Sequence, residues 1–354
     1  MKKHNFSAGP CILPQEVLSK ASQAVVELDN SGLSLIEISH RSAAFVEIME
    51  KARNLALELL GLEGKGYKAL FLQGGASLEF LMVAYNLLEQ KAGYLNTGTW
   101  SAKAIKEAAL FGEIIEVGSS KDENYNYIPK GYTVPSGLDY LHLTSNNTIF
   151  GTQIKKFPKT DVPMVCDMSS DIFSRQMDFS QFGLIYAGAQ KNMGPAGTTL
   201  VVVKEDILGK VSRKIPSMLD YQVHIEKDSM FNTPAVFAVY TSMLTLEWLK
   251  EKGGIGAIAE INDKKAQLIY SEIDLNPVFK GFANKEDRST MNATFNLTEE
   301  KLKASFEKMC KEAGINGING HRSVGGYRAS MYNALSLESV GVLVDIMSEM
   351  ERKG

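Results

Sequence analysis

The stretch LIYAGAQKNMGPAGT, residues 184–198, decides the fold. Its apolar opening reads as a buried strand, and small residues carry the chain past Lys191 into the turn at Gly194-Pro195. Just downstream, TLVVV (199–203) is another short apolar run. Upstream, PMVCD (163–167) is a third, and it ends on Asp167, 24 residues before Lys191. An amine and a carboxylate therefore stand just past the carboxyl ends of two strands, where open α/β sheets bind their ligands.

The same texture extends outward. YKALFLQ (67–73), GYLNT (93–97), EIIEV (113–117) and YLHLT (140–144) read as further strands. SLEFLMVAYNLLEQ (77–90) and SAKAIKEAALF (101–111) read as helices between them. Strands alternating with helices predict an α/β protein with a mostly parallel sheet. Pro14 opens a predicted helix to about Leu28. Residues 42–60 carry an apolar stripe at helical spacing, with Gly61 as the stop. PAVFAVYTSMLTLEWLK, from 234, is a predicted helix opened by proline. After Gly253-Gly254 the pattern changes to a helix, a strand-like TMNATFNL (290–297), a helix near 299–313 and the glycine-rich GINGINGH. The expected division is an arm at 1–14, a large domain at 15–250 and a smaller α+β domain at 251–354.

At 354 residues the chain is long enough for two domains. With 44% hydrophobic and 22% charged residues it has an ordinary globular composition. A net charge of -3 argues against nucleic-acid or membrane-surface partners. Cys11, Cys166 and Cys310 are too few and too scattered for a disulfide framework or a zinc site, and no signal peptide or membrane span is visible. The expected compartment is the cytoplasm.

A strand-end lysine paired with a strand-end acid is what pyridoxal phosphate (PLP) chemistry requires. Lys191 would carry the Schiff base, and Asp167 would keep the pyridine nitrogen protonated. Taken singly, a surface lysine and a turn aspartate would look the same. Gly74-Gly75-Ala76-Ser77, between a strand and a helix, can hold a phosphate on backbone N–H groups or be a plain tight turn. Trp100 can stack on a flat ring or pack in the core. Thr148 can reach a ring oxygen or serve its own turn, and Gln190 can reach the phosphate. Asn232-Thr233 reads as a helix cap or a second anion clamp. His40-Arg41 and His321-Arg322, with Arg328, suggest recognition of a doubly anionic substrate, against a solvated-charge alternative. No carboxylate or cysteine stands at ligand spacing to His40 or His321, so no metal is expected.

Together these residues resemble the phosphoserine aminotransferase family, class-V enzymes of PLP fold type I. The likeness runs almost end to end. It includes FSAGP (6–10), SHRS (39–42), QGGAS (73–77), TGTWS (97–101), SNNTI (145–149), DMSS (167–170), AGAQKN (187–192), NTPAVFA (232–238) and GHRSVGGYRASMYNA (320–334). The resemblance implies a large domain with a mostly parallel seven-stranded sheet plus a smaller α+β C-terminal domain. It also implies one PLP per subunit, linked to Lys191 and partnered by Asp167, with Trp100 stacking and Thr148 at the ring oxygen. Gly75, Ala76 and Gln190 would hold the phosphate, helped by Asn232 and Thr233 from the other subunit of a homodimer with sites at the interface. Arg41, His40, His321 and Arg322 would bind substrate, and Arg328 its α-carboxylate.

The implied reaction moves the amino group of L-glutamate to 3-phosphohydroxypyruvate, giving O-phospho-L-serine and 2-oxoglutarate. A parallel reaction giving 4-phosphohydroxy-L-threonine for pyridoxine synthesis is also implied. Some family members carry arginine where this chain has Ala76, which removes one cationic contact. Two rivals remain. A different fold-type-I enzyme would share Lys191 and Asp167 without needing two His-Arg loops. A non-catalytic PLP-binding regulator would bring a basic nucleic-acid module.

Overall fold

The computed structural model describes residues 3–353, so the first two residues of the predicted arm and the final residue of the predicted small domain lie outside the described residues. Seven strands form the central sheet: β1 (Tyr67–Leu72), β2 (Lys91–Asn96), β3 (Glu113–Ser119), β4 (Leu141–Thr144), β5 (Met164–Asp167), β6 (Phe182–Gly188) and β7 (Thr199–Lys204). Their order across the sheet is β1-β7-β6-β5-β4-β2-β3. All neighbours are parallel except β7, which runs antiparallel to both β1 and β6. The fold is thus α/β with a mostly parallel seven-stranded sheet, the fold-type-I arrangement. Both sheet faces are apolar, as a parallel sheet requires.

Helices α1 (Gln15–Val26) and α2 (Ala43–Leu60) cover one face, joined there by the long helix α7 (Val236–Glu251). The other face takes α3 (Gly75–Leu87), α4 (Thr99–Ala108) and the short α6 (Tyr221–Glu226). The single turn α5 (Ala189–Asn192) follows β6 and carries Lys191. A separate apolar cluster lies under a three-stranded antiparallel sheet of β8 (Phe279–Gly281), β9 (Asn292–Leu297) and β10 (Tyr327–Ser330). Helices α8 (Gly254–Leu275), α9 (Lys303–Glu312) and α10 (Leu337–Lys353) pack there. Phe6 belongs to this cluster, because His4–Asn5 pairs in parallel with Ile315–Asn316.

Local chemistry explains most helix ends. Ser42 caps α2 by accepting from the Phe45 N–H, and Gly61 closes it in the left-handed region at φ 64°. Other ends differ from the sequence expectation. α3 begins at Gly75 rather than Ser77, after Gly74 at φ 100°, a conformation that suits glycine. α4 begins at Thr99 rather than Ser101, because Ser101 Oγ accepts from the Thr97 and Gly98 N–H groups at 2.9 and 3.0 Å. Pro14 is the residue before α1, not its first helical one. α7 starts at Val236, behind Ala235, so Pro234 does not open it and neither Asn232 nor Thr233 caps it.

Candidate active site

A cavity of about 440 Å³ opens at the carboxyl ends of β1, β5 and β6. Gly75, Ala76, Trp100, Thr148, Asp167, Gln190, Lys191, His321 and Arg328 all line it. Asn232, Thr233, His40, Arg41 and Arg322 do not. Arg41, Arg322 and Thr233 are exposed, while His40 and Asn232 are half-buried. A somewhat larger cavity of about 510 Å³, walled by Ile128, Lys155, Phe157 and Asp287, contains none of the predicted residues.

Lys191 Nζ donates to Thr148 Oγ1 at 2.8 Å and lies 5.4 Å from the centre of the Trp100 ring. The side chain meets the open cavity, but its amine is walled in by protein. Burial pulls the amine down to about 8. Asp167 opposes the fall, Arg328 adds to it, and Asp171 opposes it. Asp167 is 5% exposed, and its Oδ1 accepts from the Ser169 N–H at 2.9 Å and from Ser169 Oγ at 2.7 Å. Burial raises its carboxyl above the ordinary value, while Lys191 and the two Ser169 bonds pull it down. Asp171 stands behind it, held by Ser145, Gln153 and Arg175.

Opposite the lysine, Arg328 Nη1 donates to the Thr148 carbonyl at 3.3 Å, and its buried Nε has no partner. Burial lowers the His321 imidazole, and Arg328, Arg322 and Lys103 lower it further. The N-terminal segment forms one wall. Ala8 and Gly9 line the cavity, Cys11 N–H donates to the Gln190 carbonyl at 3.0 Å, and Tyr332 Oη donates to the Ala8 carbonyl at 2.7 Å.

The cavity volume suits a cofactor-sized ligand. Trp100 Nε1 is buried without a partner, as is Arg328 Nε, so the site carries donors awaiting acceptors. At Gly75 an added Cβ would meet nothing within 4 Å, so the backbone at the α3 N-terminus is open to an anion. These observations fit PLP. Sequence reading gave no role to Ser169, Asp171, Ala8 or Gly9. The DMSS motif contained the first of these, and only tertiary structure brings the last two to the site.

The class-V aminotransferase family profile matches residues 3–343. A phosphoserine aminotransferase of Flavobacterium psychrophilum is 67% identical, covering 100% of both chains. The structure of phosphoserine aminotransferase from Bacillus circulans subsp. alkalophilus superposes with a TM-score of 0.96 at 44% identity over 99% of each chain. A PLP-bound phosphoserine aminotransferase from Trichomonas vaginalis gives 0.92 at 34% identity, over 98% of this chain and 100% of that one. Fold and site define a PLP-dependent aminotransferase of fold type I. The chain belongs to the class-V aminotransferase family, within it to the phosphoserine aminotransferases.

Proposed function

We propose that this chain transfers the amino group of L-glutamate to 3-phosphohydroxypyruvate, giving O-phospho-L-serine and 2-oxoglutarate. The phosphorylated four-carbon analogue that gives 4-phosphohydroxy-L-threonine is its second substrate. The reading is carried by one arrangement: the Lys191–Asp167 pair and the Arg328–His321 pair face a single cavity. When bound, PLP supplies the carbonyl carbon that takes up the amino group and a ring that draws in the electron pair left by the departing α-proton.

Lys191 would hold the cofactor, and its Nζ, when free, would move the substrate's α-proton as general base. A lysine pulled down to about 8 does this near neutral pH. Asp167, fixed by Ser169, holds a proton on the pyridine nitrogen. Trp100 covers the ring and Thr148 contacts its oxygen. Gly75, Ala76 and Gln190 hold the phosphate. Arg328 takes the α-carboxylate with its free donor. His321, Arg322, His40 and Arg41 take the distal anion, which is a carboxylate in glutamate and a phosphate in the partner substrate. Residues 15–250 form the cofactor-holding unit and 251–353 the smaller one, with 3–14 as the arm between them.

A coupled assay of glutamate release from 2-oxoglutarate tests the substrate. With phosphoserine, kcat/KM exceeds that with unphosphorylated serine by about a hundredfold or more, roughly 2.7 kcal/mol of phosphate recognition. Equal values overturn the assignment.

The working form is a homodimer whose subunits share their sites. Asn232, Thr233, His40 and Arg41 lie outside their own chain's cavity, and exposed Leu33, Ile36, Phe231 and Phe237 flank them. Lys191→Ala and Asn232→Asp are each defective. Subunits of the two variants, mixed and allowed to exchange, recover about a quarter of wild-type activity, because half the dimers carry one intact site. No recovery, with exchange demonstrated, sinks shared sites. The compartment is the cytoplasm, a reading supported by three cysteines that are all free thiols.

A further inference from the structure

Behind the phosphate-holding turn lies a carboxyl group that the reaction above does not use. Glu79, in the second turn of α3, is 0% exposed. It sits among the apolar side chains that join α3 and α6 to the sheet. Its single polar partner is Tyr221 Oη, which donates to Oε2 at 2.6 Å, and Oε1 has none. Among the described residues no lysine or arginine pairs with it. An ionised carboxylate in such a place would be left with one hydrogen bond and no counter-charge, a costly state.

We propose that Glu79 is a positioning residue for the amino-transfer reaction: a buried carboxyl, held by Tyr221 on the helix behind the Gly74-Gly75 turn, that sets the field in which Asp167 works. The inference rests on the function proposed above. Three observations meet in it. Glu79 is four residues from Gly75 on the helix whose N-terminus lines the cavity. Tyr186, paired with Asp167 in the sheet, belongs to the same apolar layer. Helix α3 packs on β6, the strand beside Asp167, and the Asp167 charge disfavours ionisation of Glu79.

The groups facing Glu79 are Tyr221 from α6, Asp167 from β5 and Tyr186 from β6. None is a cation. Burial raises the Glu79 carboxyl to about 7; the Tyr221 bond lowers it and Asp167 raises it. Above neutrality a second negative charge would join Asp167 and strengthen proton binding at the cationic groups of the site. Below neutrality Asp167 acts alone.

The test uses PLP-loaded wild type, Glu79→Gln and Tyr221→Phe. Glutamine preserves the shape and stays neutral. Wild type is expected to show an infrared band of a protonated carboxyl at pH 6 that fades by pH 9 and is missing in Glu79→Gln. The visible absorbance of the lysine-bound cofactor, titrated over the same range, is expected to shift to lower pH in Glu79→Gln by about half a unit, a threefold change in proton affinity. Tyr221→Phe, which removes the bond favouring the charged form, shifts it the same way by less. A purely structural Glu79 would leave the absorbance titration unmoved. Identical infrared bands, or superimposable absorbance curves for wild type and Glu79→Gln, overturn the proposal. A colourless wild type that binds no PLP would instead overturn the function on which it rests.

Discussion

Replacing Lys191 by alanine lowers turnover by about four orders of magnitude, the upper range for loss of a positioned general base. It also removes the visible absorbance of the lysine-bound cofactor. Both effects come from one nitrogen, whose 2.8 Å bond to Thr148 aims it into the cavity. A glutamate-release assay and a spectrum of the reconstituted variant check them. Borohydride reduction of wild type should leave the cofactor on the peptide containing Lys191. Cofactor recovered on another residue, or activity kept by the variant, removes Lys191 from its role.

The burial of this amine also makes a pH statement. At a value of about 8 half the Lys191 amines are neutral at pH 8. For an ordinary lysine at 10.5 the neutral share would be roughly 0.3%. The sign is set by desolvation, which disfavours the ammonium form, so PLP capture by the apoenzyme accelerates as pH rises. The capture rate is expected to level off just above 8; a rise that continues beyond pH 10 would contradict the enclosure of the amine.

The second large effect belongs to Asp167→Asn. The amide keeps the shape but cannot hold a proton on the pyridine nitrogen. We expect kcat to fall about a hundredfold, comparable to losing one preorganised electrostatic contact. The lysine still captures the cofactor, so the protein remains coloured while turning over slowly. This split between a kept spectrum and a lost rate separates Asp167 from Lys191. A rate within about threefold of wild type, under ~0.7 kcal/mol of barrier, refutes the assignment.

Much of this was legible in the sequence, for physical reasons that differ from element to element. Six of the seven strands announced themselves because both faces of the sheet are buried there, leaving unbroken apolar runs such as LIYAG and TLVVV, whereas the partly exposed edge strand β3 showed only in the shorter run EIIEV. The helix at 42–60 was readable because its apolar stripe and glycine stop agree, and the structure adds that Ser42 is its cap, one residue before the helix starts. Helix starts that depend on tertiary context were not. Ser101 looks like a first helical residue, yet its side chain folds back to close a turn that begins two residues earlier. Pro234 looks like a helix opener, but the helix waits for Val236.

The lysine and acid were visible because Asp167 ends a strand and Lys191 comes three residues after the end of another. Ser169 was quoted within a motif and passed over, since its service to Asp167 is a hydrogen bond that spacing does not reveal. Glu79 was hidden more thoroughly. On a helix of mixed apolar and polar residues a glutamate reads as solvent-facing, and only packing shows that water never reaches it.

The wall built from Ala8 and Gly9 carries a consequence for biogenesis. His4 and Ala8 emerge from the ribosome about three hundred residues before their tethers, Ile315 and Tyr332. Until then the nascent chain holds a lysine and an acid in a cleft with one side missing. A chain cut short before Ile315 would lack both tethers, so its cleft would stand open on that side.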